Sequence, residues 1–170
     1  MVRIDHVLNS WKTVRHDSAQ AVEDFPAAEL DYKPTSELAS FREIARHILE
    51  AGNVLSGALV DGVDNLSAAG WRDKLKHHLS NLPEQADAAT LAAELRRSLD
   101  ARVAELAAKP AEFWSQTITR FDGETVTRLE MLQTCKEHEL THRSQLFMYL
   151  RLKGLIPVTT RRRLAKQAGR

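Results

Sequence analysis

A single cysteine, Cys135, excludes an intrachain disulfide framework and fits a reducing compartment. Long apolar runs are missing as well. The N-terminal MVRIDHVLNSWKTVRHDS has no apolar core of signal-peptide length, and no later stretch approaches a membrane span. A soluble cytoplasmic protein with no membrane partner is the expectation. Charge of one sign is also lacking. The 24 Lys and Arg against 23 Asp and Glu leave a net charge of +1, so no overall field draws the chain to nucleic acid or to acidic substrates. The one basic cluster, Arg161, Arg162, Arg163, Lys166 and Arg170, reads as a solvated, partly disordered tail over residues 159–170. Breakers are scarce, with 7 Gly and 5 Pro in 170 residues, and period-two runs of Val, Ile and Thr are absent. A sheet is thereby excluded as the main architecture, and the composition favours helix.

What is present is a set of amphipathic stretches with clear ends. Ile4, Leu8, Trp11, Val14, Ser18, Val22 and Phe25 trace the buried stripe of a first helix, from about Arg3 to Asp24, that Pro26 closes. His6 and His16 fall on its solvent side. About fifteen residues follow with no helical period, long enough to cross the end of a bundle, where Leu30 and Tyr32 can cap the core. Ser40-Phe41-Arg42-Glu43 is a capping box that opens a second helix, which fades at Asp61-Gly62. Residues 61–87 read as loop with a short helix near Trp71–Leu79, and His77 and His78 in it as exposed surface. A third helix spans about Thr90–Ala107 and a fourth about Thr127–Lys153, with a turn and a brief hairpin at Asp122-Gly123 before it and Gly154 as its cap. Four such helices sharing one core predict an all-α four-helix bundle, a single domain over residues 1–158.

On the fourth helix Met131, Cys135, His138, His142, Gln145, Tyr149 and Leu152 recur at steps of four and three, the spacing of a buried seam. His138, Glu139, Leu140, Thr141 and His142 spell H-E-x-x-H, the zinc-peptidase signature. A peptidase of that kind needs a third ligand downstream. No Asp or Glu follows Glu139 and no His follows His142, so the peptidase reading fails. Histidines four apart share one helix face and can grip one ion, and the missing ligand must then come from upstream. His47 is the candidate, because it lies on the seam of the second helix with small Ala51 one turn beyond. Three imidazoles suit a divalent transition metal and leave a position open for water or substrate. A lone seam histidine is ordinarily a hydrogen-bonded core residue; three at this spacing favour a metal. Glu139 is the nearest carboxylate and a candidate catalytic group, although a surface or supporting role is the plainer reading. Gln145 is placed to orient substrate or water, Glu43 to hold the free N–H of His47, and Cys135 to fill a small core position rather than to ligate.

The segments FREIARHILEAGNVLSGAL and KEHELTHRSQLFMYLRLKGLIP resemble the two signatures of the DinB-like (DinB/YfiT) four-helix-bundle family. That pattern has one histidine on the second helix and H-x-x-x-H on the fourth, followed by Arg-Gly-Gln-Leu. His47, His138 and His142 match the three metal positions, Arg143, Gln145 and Leu146 match the next, and Ser144 departs from the glycine. The resemblance implies a divalent metal, zinc or nickel, between helices 2 and 4, and a homodimer. It further implies thiol S-transferase or isomerase chemistry with low-molecular-weight thiols such as bacillithiol or mycothiol, or hydrolysis of a small-molecule substrate. A non-catalytic dimeric stress-response or binding module, its metal structural, is the alternative it leaves open.

Overall fold

The computed structural model describes residues 3–169. Its four long helices are α1 (Ile4–Asp24), α2 (Phe41–Val60), α4 (Ala88–Ala107) and α5 (Arg128–Leu152), with a short α3 (Trp71–Lys74) and a C-terminal α6 (Val158–Ala168). Three of the four long-helix starts are fixed by a local cap. Ser40 and Glu43 close a capping box on α2, Thr127 and Glu130 close another on α5, and the Asp87 carboxylate accepts from the Thr90 N–H at the start of α4. Gly62 and Gly154, at φ 70° and 73°, turn the chain out of α2 and α5 in a conformation other residues adopt only under strain.

Helix α1 packs along α4 and α5, and α2 packs along the same two, so α1 and α2 face each other across the bundle diagonal. That arrangement requires the long connection between them. The chain crosses the bundle end through a single 3-10 turn (Ala27–Glu29). Leu30 is buried there, and Tyr32 packs edge-on to Tyr149. Phe25 and Phe41, at the two ends of the crossing, stack at 3.9 Å. The expected capping role of this segment is met.

The brief hairpin expected at Asp122-Gly123 is present: antiparallel β1 (Thr117–Thr119) and β2 (Thr125–Thr127) precede α5 and bury Ile118. Two features differ from the sequence reading. The basic tail is helix α6, not a disordered segment. Its Arg162 pairs with buried Asp17 at 2.6 Å and its Arg161 with Asp24 at 2.7 Å, both on α1. Patterning missed it because ion pairs rather than an apolar stripe hold it down; Arg170 lies outside the described residues. No helix among the described residues is long and apolar enough to cross a membrane.

The second difference is inside the bundle. The apolar core is two clusters, one around Phe25, Phe41, Leu49, Leu95 and Leu150, the other around Trp11, Leu59, Leu99, Leu132 and Trp114. Between them lies a polar layer. Arg15, fully buried on α1, donates to both carboxylate oxygens of Glu139 on α5, from Nε at 2.5 Å and from Nη2 at 3.0 Å. The same guanidinium reaches the Leu95 carbonyl on α4 and the Ile48 carbonyl on α2, each at 3.2 Å. One side chain thus touches all four helices. Gly52 makes this possible: a Cβ there would stand 2.2 Å from Arg15 Nη2.

Candidate metal centre

The polar layer sets the rotation of α5, and the histidines follow from it. Glu139 points inward, so His138 and His142, on either side of it in sequence, turn toward the edge between α5 and α2. They are half-buried and His47 is exposed. Met131, Cys135 and Tyr149 of the expected seam are buried, but Leu132, Glu139, Leu146 and Leu150, neighbouring positions outside that seam, are buried too, and Leu152 of it is 55% exposed.

His47 Nε2 lies 3.1 Å from His138 Nε2, and His142 Nε2 lies 3.2 Å from the same atom. The 91-residue separation of His47 and His138 closes to one contact. Gln145 Oε1, an acceptor, is 2.7 Å from His142 Nδ1, which must then carry the ring proton and leave the Nε2 lone pair bare. Three neutral rings cannot make both contacts full hydrogen bonds. His142 Nε2 only accepts, so at most one proton lies among the three nitrogens and the two contacts must share it or one goes without. A cation removes the conflict. Tetrahedral ligands at the usual zinc–nitrogen distance stand about 3.3–3.4 Å apart, so a slight opening of the observed spacing admits the ion. Withdrawal of the ring edges from water, then the neighbouring imidazoles, pushes His138 down to about 4; the same causes, with His142 the neighbour, lower His47. Both rings are neutral at neutral pH, the form that ligates. The residues fit a metal.

The supporting groups are placed as follows. Gln145 contacts His142. Glu43 does not reach His47: its carboxylate accepts from the Ser40 backbone N–H at 2.5 Å and pairs with Lys33 at 3.2 Å. Glu139 is 1% exposed rather than on the surface, and besides Arg15 it accepts from Trp11 Nε1 at 2.6 Å. All its short contacts run to α1. Cys135 is buried in the lower cluster, outside the histidine group, and burial followed by the Glu139 charge pushes its thiol up to about 12.

A cavity of about 440 Å³ opens beside the histidines. His47 and His138 form one end; Ala51, Val54 and Leu55 of α2 form a wall, and Trp71, Arg72 and Leu79 of the 61–87 loop face it. Glu50, one turn past His47, borders it too and is raised by burial. Of these, Glu50 was readable from its i+3 spacing to His47. The loop residues were not, because no helical period ties them to the site.

A second convergence corrects the exposed-surface reading for His78, which is half-buried, while His77 is exposed as expected. Both reach the Asp61 carboxylate, at 3.0 and 2.9 Å. Adjacent histidines point apart on an α-helix, but these sit in a 3-10 turn (Lys76–His78). Arg102, which can only donate, is 3.0 Å from His78 Nδ1, so the ring proton is on Nε2 and goes to Asp61. That nitrogen has no lone pair for an ion. The His78 ring fills the space a side chain at Gly57 would take, 2.2 Å from the position of its Cβ. It anchors the loop.

An all-helical bundle that gathers three imidazole nitrogens at its α2–α5 edge is a scaffold with a candidate metal centre. The sequence pattern of the DinB family matches residues 1–168, and the chain belongs to that family. Among solved structures, a DinB-like protein from Bacillus subtilis superposes with a TM-score of 0.67 at 24% identity, over 88% of this chain and 92% of that one. YfiT from Bacillus subtilis, described as a probable metal-dependent hydrolase with an unusual four-helix bundle topology, gives 0.69 at 16% identity over 91% of each. The mycothiol-dependent maleylpyruvate isomerase gives 0.61 at 14% identity, with 85% of this chain covering 61% of that one. At these identities the likeness establishes the fold alone. No curated protein sequence matches the chain.

Proposed function

We propose that the protein is a metal-dependent enzyme that binds one divalent transition ion, zinc or nickel, through His47, His138 and His142. Its chemistry is thiol S-transfer or hydrolysis on a small molecule held in the adjoining cavity. The observation that carries this reading is the meeting of three Nε2 atoms, two contacts of 3.1 and 3.2 Å, at the mouth of a 440 Å³ space. When bound, such an ion would act as a Lewis acid that lowers the pKa of a coordinated water or thiol toward neutrality.

The chain's own residues supply the rest. Gln145 fixes the tautomer of His142 so that its Nε2 faces the site. The Arg15–Glu139 pair fixes the turn of α5 on which both histidines depend. Cys135 cannot be the nucleophile, since its thiol is buried and stays protonated at neutral pH. The nucleophile is therefore brought from outside, as water or a low-molecular-weight thiol. Three protein ligands beside an open cavity favour a reactive site over a structural one, which ordinarily has four and is closed.

Metal analysis of protein purified without chelator tests the first half. About one zinc or nickel per chain is expected, lost in His47→Ala and in His138→Ala; a metal-free wild type at neutral pH sinks the proposal. Conjugation of monochlorobimane to several small thiols, and hydrolysis of p-nitrophenyl esters, test the second half. Turnover that disappears on chelation and returns with metal supports an enzyme. Full metal loading with no turnover in either assay leaves the structural alternative.

A further inference from the structure

The cavity beside the histidines has one charge left over. Lys76 at its rim pairs with Asp73 at 2.7 Å, and Glu50 pairs with Arg46 at 3.4 Å. Arg72 has no carboxylate partner among the described residues. Its guanidinium is stacked over the Trp71 ring, 4.7 Å from the centroid, which holds it beside the cavity without neutralising it. Much of the remaining lining is apolar: Ala51, Val54 and Leu55 from α2, with Leu79 and Phe121. Leu79 and Phe121 are 40% and 48% exposed, so large apolar groups face water at the mouth. The volume lies in the range of small-ligand pockets, which combine apolar walls with a few placed polar groups.

We propose that the cavity selects organic carboxylates with an aromatic or branched apolar body, the body lying between α2 and the loop and the carboxylate bonding to Arg72. This rests on the reading of the histidine end as the chemical end of the cavity, and it names the class of substrate. Arginine is suited to the task because its planar fork matches a carboxylate. The anchoring of the loop through His78, Asp61 and Arg102 keeps Arg72 and Trp71 in register with α2. The unpaired Arg72 cation disfavours amines, and apolar walls disfavour small hydrophilic acids.

The test is binding of 4-phenylbutyrate, 4-phenylbutanol and butyrate, followed by calorimetry and amide chemical shifts, on metal-stripped and zinc-loaded protein. In the metal-stripped wild type the aromatic acid is expected to bind about tenfold tighter than the alcohol, the worth of a partly exposed charged hydrogen bond. It should also bind more tightly than butyrate, with shifts at Ala51, Val54 and Leu79. Arg72→Gln should erase the advantage over the alcohol and leave the alcohol unchanged. Equal binding of acid and alcohol, or shifts confined to other faces, overturns the proposal. So does a preference seen only with zinc and surviving Arg72→Gln, which would place the carboxylate on the ion. A protein that takes up no zinc but keeps the Arg72-dependent preference removes the metal reading and leaves the substrate class standing.

Discussion

Replacing Glu139 by glutamine asks whether the glutamate of the H-E-x-x-H sequence is a reagent or a fastener. Its carboxylate receives three donors: Arg15 Nε on one oxygen, Arg15 Nη2 and Trp11 Nε1 on the other. A glutamine keeps one acceptor oxygen and turns an NH2 toward at least one of those donors. It also leaves the buried Arg15 cation with only carbonyls and a hydroxyl for partners. Breaking a buried pair in this way costs about 3–5 kcal/mol. Taking about 3 kcal/mol, because the amide retains one good bond, and about 2–4 °C per kcal/mol for a chain of this size, melting should fall by about 6–12 °C. Thermal unfolding by circular dichroism measures it. Arg15→Met with Glu139→Leu removes both charges at once and should melt higher than either single variant. If Glu139 were a general base, Glu139→Gln would abolish activity with the melting temperature unchanged, and that pair of results would refute the reasoning.

Cys135 should resist Ellman's reagent at pH 8 in the folded protein and react on unfolding. Its thiol keeps its proton up to about 12 when folded but only to about 9.0 when exposed, so stability should also fall as pH rises through that window. Gly52→Ala should destabilise by about 1–3 kcal/mol, since Arg15 Nη2 must leave the Ile48 carbonyl; an unchanged denaturation midpoint would show that the guanidinium has room to shift. Gly57→Ala should displace His78 and loosen the loop, seen as faster amide exchange over residues 71–79 with the bundle unaffected; uniform exchange changes would contradict the anchoring role. Asp17→Asn removes the partner of Arg162 and Arg143, at 2.6 and 3.3 Å, and should release α6 to proteolysis before the bundle unfolds.

The elements of the bundle were legible because each boundary is a local device. Ser40 with Glu43, Pro26 and Gly154 act within a few residues of themselves, and the structure places the helix ends beside them. The long connection was legible from its length. Which residues fill the interior was less so, and Arg15 and Asp17 show why. Arginine and aspartate are ordinarily surface residues, and the partners that make their burial tolerable lie 124 and 145 positions away. Only the three-dimensional arrangement reveals the compensation. The same blind spot left Glu139 off the expected seam of α5, although it is the inward residue at the level of the site. The loop over residues 61–87 escaped because its contribution to the cavity depends on an anchor, His78 against Gly57, that has no sequence period.

The two histidines and the glutamate between them make sense only as one device. A residue placed one position after His138 and three before His142 points about 100° away from the first and about 300° before the second, so it faces the interior when both imidazoles face the α2 edge. Glu139 is therefore placed to hold the histidines without touching them, and Arg15 extends that hold to the carbonyl of Ile48, the residue immediately after His47. The guanidinium thus grips the backbone beside one nitrogen donor and the carboxylate between the other two. All three candidate ligand rings are registered to a single buried cation, Arg15. A polar layer that interrupts the apolar core costs stability relative to a continuous one. Here it gives α2 and α5 the fixed mutual rotation on which the 3.1 and 3.2 Å convergence depends.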